Sequence, residues 1–330
     1  MLIRRALSSL IVPKTPRQAL LVVSYITASI LILFALHHIV GYIFTESYVW
    51  QCTTLADWID PVARTTCNVY GYKSLYSVDR SKRHLMDTNK ALKIGLLMLY
   101  NDQDGTWDQE LMSRVLKNRD EYSRMHDYSI VVANDILDRS KPPAWTKLLA
   151  ADKYLDKYDY LMYIDMDIVI MNMTVKAEHF IDMAPDKDMI MTEDWNGPNT
   201  GVWLVKKSAW SHWFLQTAFN QTQLVPKKSP EGISYPFEYE QRAVHYLLDT
   251  SIWRQRGLPK WSGDIQEIRS HFFFLPQCAM NSYIMYPFYW NGDREQSHYV
   301  NGDFMVHFAG KKGAIKTNLM SHFLTQAETS

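Results

Sequence analysis

Two aspartates one residue apart, Asp165 and Asp167, stand where an apolar run breaks and resumes, with Leu161 to Ile164 before them and Ile168 to Ile170 after. A strand buried on both faces reads as a continuous hydrophobic run. Carboxylates are costly to bury there without a partner. The pair is therefore expected at a strand end with a cation beside it. Side chains two apart on a strand share a face. Two hard oxygen ligands aimed at one point suit Mg²⁺ or Mn²⁺ bridging to a substrate phosphate. A solvated acidic turn produces the same pattern, so the pair acquires meaning only from what accompanies it.

Three further groups accompany it. The block Gly302 to Lys312 delivers His307 on a short strand, then Gly310 and the cations Lys311 and Lys312. Imidazole is a good Mn²⁺ ligand beside carboxylates, although a strand histidine is also an ordinary core residue. The lysines can neutralise a diphosphate as point charges or form a solvated pair. Glu240-Gln241 opens a helix, where an acid favours the helix dipole or steadies a cationic transition state. Asp194 lies in the polar, turn-rich stretch Glu193 to Gly201, in which Gly201 permits close approach of the backbone to a ligand.

The elements that must position these groups follow from periodicity. Ile94 to Tyr100 and Ile130 to Ala133 read as buried strands. Between them Trp107 to Met125 keeps its apolar residues on one helical face, and a second amphipathic helix carries Trp145, Leu148, Leu149 and Leu155. The strand ending in the aspartate pair comes next. Asp188 to Thr192, Val202 to Val205 and Phe272 to Leu275 are further strand candidates, and Ser208 is placed to cap a helix. Strands alternating with helices predict an α/β domain with a parallel sheet, whose ligands bind at the carboxyl ends of the strands. Tyr100 and the aspartate pair lie at such ends. No G-x-G-x-x-G follows the first strand, which argues against an NAD enzyme.

The remaining signals bound compartment and class. Formal net charge is zero over 330 residues, so no general nucleic-acid affinity is indicated. From Gln18 to Thr45 there is no Asp, Glu, Lys or Arg, long enough for a helix to cross a bilayer, and Arg4, Arg5, Lys14 and Arg17 precede it. The positive-inside rule then predicts a cytosolic tail (1–18), a membrane signal-anchor (19–44), a lumenal stem (45–90) and a catalytic domain (91–330). A cleaved signal peptide is the rival, but its apolar core is usually shorter, about 7–15 residues. Of the three cysteines, Cys52 and Cys67 are near enough in sequence to pair in an oxidising lumen, the alternative being that all three, Cys278 included, are free. The sequons at Asn172 and Asn220 fit a lumenal protein.

The ordered set of blocks resembles glycosyltransferase family 34, the fungal and plant galactosyltransferase and mannosyltransferase family. Its carriers are Lys93-Ile94-Gly95, Asn118 to Tyr122, Pro143 to Leu148, Tyr158 to Tyr160, Ile164 to Asp167, Glu193 to Asn196, Asn199 to Val202, Glu240-Gln241, and Gly302 to Phe304 with His307 to Gly310. The resemblance implies a GT-A type nucleotide-diphospho-sugar transferase fold, a mixed, mostly parallel sheet flanked by helices behind an N-terminal transmembrane helix. It implies retaining, Mn²⁺-dependent transfer of a hexose in α linkage, with mannose from GDP-mannose or galactose from UDP-galactose, onto a mannan-like or N-linked glycan. Asp165 and Asp167 would hold the metal and diphosphate, and His307 would complete the metal site. Lys311 or Lys312 would contact phosphate, and Tyr100 the base. Asp194, Asn196, Asn199 and Gly201 would border the sugar, with Gln241 and Glu240 at the anomeric carbon. One departure is that Tyr239 precedes Glu240-Gln241 where many relatives have an acid. A Golgi membrane location is implied, with a hetero-oligomer of glycosyltransferases as a further partner. The rival readings are a metal-dependent phosphohydrolase and a non-catalytic anchored subunit.

Overall fold

The computed structural model describes residues 24, 27–36, 39–40, 67, 91–100, 108–136, 138, 140–194, 197–225, 239–250, 260–284 and 298–329. The chain divides into two compact units, Met1–Gln51 and Cys52–Ser330. In the first, every described residue is helical and exposed, including Ile30, Leu31, Ile32, Leu33, Phe34, Leu36, Ile39 and Val40. Among the described residues no helix is long and apolar enough to cross a membrane.

The second unit holds the chemistry. Its strands are β1 (Ile94–Leu99), β2 (Ser129–Ala133), β3 (Tyr160–Ile164), β4 (Ile168–Ile170), β5 (Met189–Asp194), β6 (Gly197–Lys206), β7 (Phe272–Pro276), β8 (Ser282–Tyr283) and β9 (Met305–His307). Its helices are α1 (Gln109–His126), α2 (Thr146–Leu155), α3 (Ala177–Met183), α4 (Ala209–Phe219), α5 (Gln241–Leu247), α6 (Ile265–Ser270) and α7 (Gly313–Thr329). Six strands form one sheet in the order β2-β1-β3-β6-β5-β7, in which only β6 runs against the rest. The predicted mixed, mostly parallel sheet with flanking helices is what forms. A small second sheet, β4-β9-β8, places His307 opposite Ile168.

Period-two alternation divides each central strand between two cores. On β3, Leu161 and Tyr163 face one core, with Trp145, Leu148 and Leu155 near α2, Phe214 and Leu215 of α4, and Val244 and Leu247 of α5. Tyr160, Met162 and Ile164 face the other, against Tyr122 of α1, Phe180 and Ile181 of α3, and β4. Parallel strands need crossover connections, and here α1 leads from β1 to β2 and α2 from β2 to β3. The helix cap read from sequence is present, Ser208 accepting from the Ser211 amide at 3.0 Å, and the structure adds a second, Asp108 accepting from the Leu111 amide at 2.8 Å.

Three expectations are corrected. Asp165 and Asp167 do not share a strand face, because β3 ends at Ile164 and both lie in the turn before β4. The stretch 193–201, expected as a loop, is mostly strand: β5 continues to Asp194 and β6 starts at Gly197, whose φ is +106°. A register shift after Met191 accommodates its polar residues, since Trp203 opposes Met191 whereas Asn199 already opposes Thr192. Thirdly, Cys67 pairs with Cys278, 211 residues away, and not with Cys52, which lies outside the described residues. Sequence proximity misled here because a disulfide selects partners close in space.

Candidate active site

The turn between β3 and β4 is braced from behind. Arg119 of α1 is fully buried and donates from Nη2 to the carbonyls of Asp165 (3.2 Å) and Ile168 (2.6 Å), and from Nη1 to Asn118 Oδ1 at 2.9 Å. Asn118 in turn exchanges hydrogen bonds with both backbone groups of Ile170. Burial lowers the Arg119 pKa to about 9, against the pull of Asp167 and Asp165. Backbone bonds fix the two ends: Asp165 N donates to Gly201 O at 2.8 Å, and Phe308 N to Asp167 O at 2.9 Å. Neighbouring strands therefore bring Asp165, Asp167 and His307 together, and one ligand atom of each lies within 4.8 Å of the others.

His307 is oriented by Asn281, whose Oδ1 lies 2.6 Å from Nδ1. A carbonyl oxygen only accepts, so Nδ1 carries a proton, and Nε2 faces Asp167 Oδ1 at 3.3 Å. This is the outer-shell support that metal-ligating histidines usually have. Gly201 makes the close approach possible: a Cβ there would meet His307 Cε1 at 2.5 Å and Nδ1 at 2.9 Å. Two carboxylates and an imidazole fit Mn²⁺ by donor chemistry.

The cations beside the carboxylates are Lys147 and Lys316. Lys147 Nζ lies 2.9 Å from Asp165 Oδ1, 2.8 Å from Glu240 Oε1 and 3.3 Å from Thr200 O. Burial disfavours its charge, but Asp165 and Glu240 outweigh that and raise its pKa. Tyr163 also donates to Asp165 Oδ1 at 2.7 Å, and burial pushes its hydroxyl well above the usual range, so it remains a donor. Lys316 Nζ lies 2.6 Å from Asp167 Oδ2. Burial opposes the Asp167 charge, yet His307 and Lys316 hold its carboxyl well below the ordinary carboxylate range.

On the other side, Glu240 is 1% exposed and immediately precedes α5, without a side-chain bond to the helix. Its Oε1 takes the Thr200 hydroxyl at 2.7 Å, while Oε2 is buried with no hydrogen-bond partner among the described residues. Burial raises its pKa against the pull of Lys147. Gln241 is only half-buried, with Oε1 3.4 Å from the Thr200 amide. Asp194 Oδ2 accepts from Asn199 Nδ2 (2.9 Å) and the Tyr283 hydroxyl (2.7 Å), and Asn199 Oδ1 accepts from the Gly201 amide at 2.8 Å.

The structure thus joins Asp165, Asp167, His307, Glu240, Gln241, Asp194, Asn199 and Gly201 in one connected network. Tyr100 is half-buried just after β1, its hydroxyl 3.4 Å from Gln109 Oε1. Lys311 is buried and Lys312 exposed. Asn196 lies outside the described residues. Sequence reasoning missed Lys147, Arg119, Asn281, Tyr283 and Lys316. The first two carried a signal. Arg119 falls four residues after Val115 and three before Tyr122, and Lys147 falls three and four before Ala150 and Ala151, so each is a cation on an apolar helical stripe.

The α/β domain with its mixed sheet thus carries a candidate cation site, Asp165, Asp167 and His307, with lysines around it. The chain belongs to the galactosyl transferase GMA12/MNN10 family, glycosyltransferase family 34, whose sequence profile matches residues 90–185 and 177–316. Among curated relatives, galactomannan galactosyltransferase 1 of Cyamopsis tetragonoloba is 24% identical over 44% of this chain and 39% of its own length. The uncharacterized alpha-1,2-galactosyltransferase C637.06 of Schizosaccharomyces pombe is 22% identical over 62% of this chain and 64% of its own. The probable alpha-1,2-galactosyltransferase gmh1 of the same yeast is 21% identical over 73% and 75%. The chain spans less than two thirds of the first two relatives. Among solved structures, a glycosyltransferase involved in the glycosylation of the major capsid of PBCV-1 aligns at TM-score 0.46 and 15% identity, covering 72% of this chain and 100% of that one, a likeness too slight to carry argument.

Proposed function

We propose that this chain is a retaining, Mn²⁺-dependent hexosyltransferase that moves a sugar from a nucleotide donor to a glycan. The observation that carries this is the convergence of Asp165, Asp167 and His307 on one point, joined through Lys147 and Thr200 to Glu240 and Gln241. The printed names of three relatives favour UDP-galactose as donor, with GDP-mannose the alternative, and a mannan-like or N-linked glycan as acceptor. The chain's sheet order, with one antiparallel strand among parallel ones, supports a GT-A assignment.

Asp165, Asp167 and His307 would hold the metal, which would neutralise the leaving diphosphate. The bond from the anomeric carbon to the diphosphate breaks, the acceptor oxygen attacks from the same face, and its proton passes to the departing phosphate oxygen. The products are a glycoside and a nucleoside diphosphate. Gln241 is the half-open group and faces the cationic centre. Glu240, sealed behind it, fixes Lys147 and contributes negative potential through Oε2. Asp194, held by Asn199 and Tyr283, borders the sugar.

The charge-free run Gln18 to Thr45 and the exposed apolar residues Ile30 to Leu36 support an N-terminal membrane anchor, with the larger unit in the Golgi lumen. The Cys67–Cys278 disulfide supports an oxidising compartment.

The test is incubation of the full chain in detergent with Mn²⁺, an α-mannoside and each donor, beside Asp167→Ala. Glycoside formed from one donor, lost with EDTA and in the variant, is the expected result. Release of free sugar independent of acceptor would indicate a hydrolase. No turnover with any donor would leave the scaffold reading in its place.

A further inference from the structure

Lys316 is delivered to the site by a rigid element. It lies one turn before Leu319 and Met320 and two before Phe323, the buried stripe of α7, and so shares the face turned to the domain. Phe323 packs edge-on against Phe308 and Tyr299. Arg114 of α1 clamps the helix from the side, donating to Ser321 Oγ (2.9 Å), Thr325 Oγ1 (2.8 Å) and both carboxylate oxygens of Glu328 (3.0 Å each).

The position of its ammonium creates a competition. Asp167 Oδ2 holds Lys316 Nζ at 2.6 Å, and Asp167 Oδ1 faces His307. Asp165 is already paired with Lys147. Two lysines thus balance the two carboxylates. A divalent cation that takes Asp167 meets the Lys316 charge at the same carboxylate. The lysine can yield, because its side chain is 20% exposed and its stem is flexible. Once displaced, its ammonium can pair with the diphosphate of a donor held by the cation.

We propose that Lys316 is the stand-in cation of this site: it occupies Asp167 when metal is absent, cedes it to the divalent ion, and then pairs with the diphosphate. The inference rests on the metal-site reading above. It assigns a phosphate partner on α7, beyond the lysines that follow Gly310.

The experiment measures binding of Mn²⁺ alone, then of inorganic pyrophosphate at saturating Mn²⁺, by calorimetry on the full chain in detergent. Lys316→Gln is expected to bind Mn²⁺ several-fold tighter than wild type and pyrophosphate several-fold more weakly, while Lys316→Arg keeps wild-type Mn²⁺ affinity. A second measurement needs no variant. Amine labelling of Lys316 in the wild-type protein, read by mass spectrometry, is expected to rise with Mn²⁺ and fall again when pyrophosphate is added. Equal or weaker Mn²⁺ binding by Lys316→Gln, unchanged pyrophosphate binding, or labelling indifferent to Mn²⁺ overturns the proposal. Equal Mn²⁺ affinity in wild type and Asp167→Asn overturns the metal site itself, and the proposal with it.

Discussion

Lys147 reaches Glu240 with Nζ 2.8 Å from Oε1, in a contact where the side chains are only 5% and 1% exposed. The pair joins the candidate metal cluster, through Asp165, to the helix that presents Gln241. Removing one partner of a buried pair leaves an uncompensated charge, which costs about 3–5 kcal/mol. Lys147→Met is therefore expected to be strongly destabilised and inactive. Its Glu240 pKa rises further above the unfolded value, so the charged acid costs more as pH rises. The destabilisation is thus larger at pH 8 than at pH 5. Adding Glu240→Gln is expected to restore part of the loss, and urea unfolding of the four proteins in the cycle measures the coupling.

Gly201 and His307 make a second tight relationship. A Cβ at position 201 would fall 2.5 Å from Cε1 of the imidazole and 3.0 Å from Asn199 Oδ1. Either the ring turns away from Asn281 or the β6 bulge shifts. Overpacking of this kind costs about 1–3 kcal/mol, and disturbed outer-shell support costs roughly 10–100-fold in metal affinity. Gly201→Ala is expected to stay folded, with Mn²⁺ affinity lowered by about that factor. Calorimetry with Mn²⁺ alone decides it, and unchanged affinity would show that the imidazole is not held by this contact.

How much of this was legible in the sequence depended on whether the signal was local. The strands around Leu97, Tyr163 and Trp203 were readable because burial on both faces leaves uninterrupted apolar runs. The aspartate pair was readable because carboxylates interrupting such a run need a partner. The cations they need were not: Lys147 precedes Asp165 by 18 residues and Lys316 follows Asp167 by 149, and only the fold brings them into contact. Helix α7 was missed because it opens on a glycine, Gly313, and its buried residues, Leu319, Met320, Phe323 and Leu324, form only a short stripe. The 193–201 stretch looked like a loop because its Pro, Asn and Gly residues weaken strand propensity; pairing of Glu193 and Asp194 with Pro198 and Gly197, and of Glu193 with Pro276 of β7, overrode that preference.

The Cys67–Cys278 disulfide closes 211 residues of chain and ends one turn from Asn281. Asn281 N donates to Gln277 O at 2.8 Å, and its side chain orients His307. Constraint of so long a loop stabilises by about 2–5 kcal/mol. Cys278→Ser is expected to melt at lower temperature and to bind Mn²⁺ more weakly. Reductant is expected to lower the melting temperature of the wild type and leave the variant unmoved; a wild type indifferent to reductant would place the pairing elsewhere.

His245 supplies a pH dependence with a defined sign. Its ring donates from Nε2 to the Pro198 carbonyl at 2.8 Å and accepts the Thr250 hydroxyl at Nδ1, 2.6 Å away. Burial, which outweighs the Pro198 bond, lowers its pKa from 6.5 to about 3. The unfolded chain therefore takes up this proton near pH 6.5 while the folded one refuses it. The stabilisation is whole above 6.5 and is lost as pH falls toward about 3, at up to about 1.4 kcal/mol per pH unit. Between pH 6.5 and 5 few unperturbed carboxylates titrate, so this histidine dominates the slope among the groups of α5. His245→Gln is expected to be less stable at pH 7, since Pro198 and Thr250 lose a shaped partner, but to show a flatter fall between pH 6.5 and 5. Urea midpoints at half-unit intervals measure both slopes. Parallel lines for the two proteins would mean that the imidazole takes up its proton in the folded state, and that the contact between α5 and the start of β6 survives a charge beside Gln241.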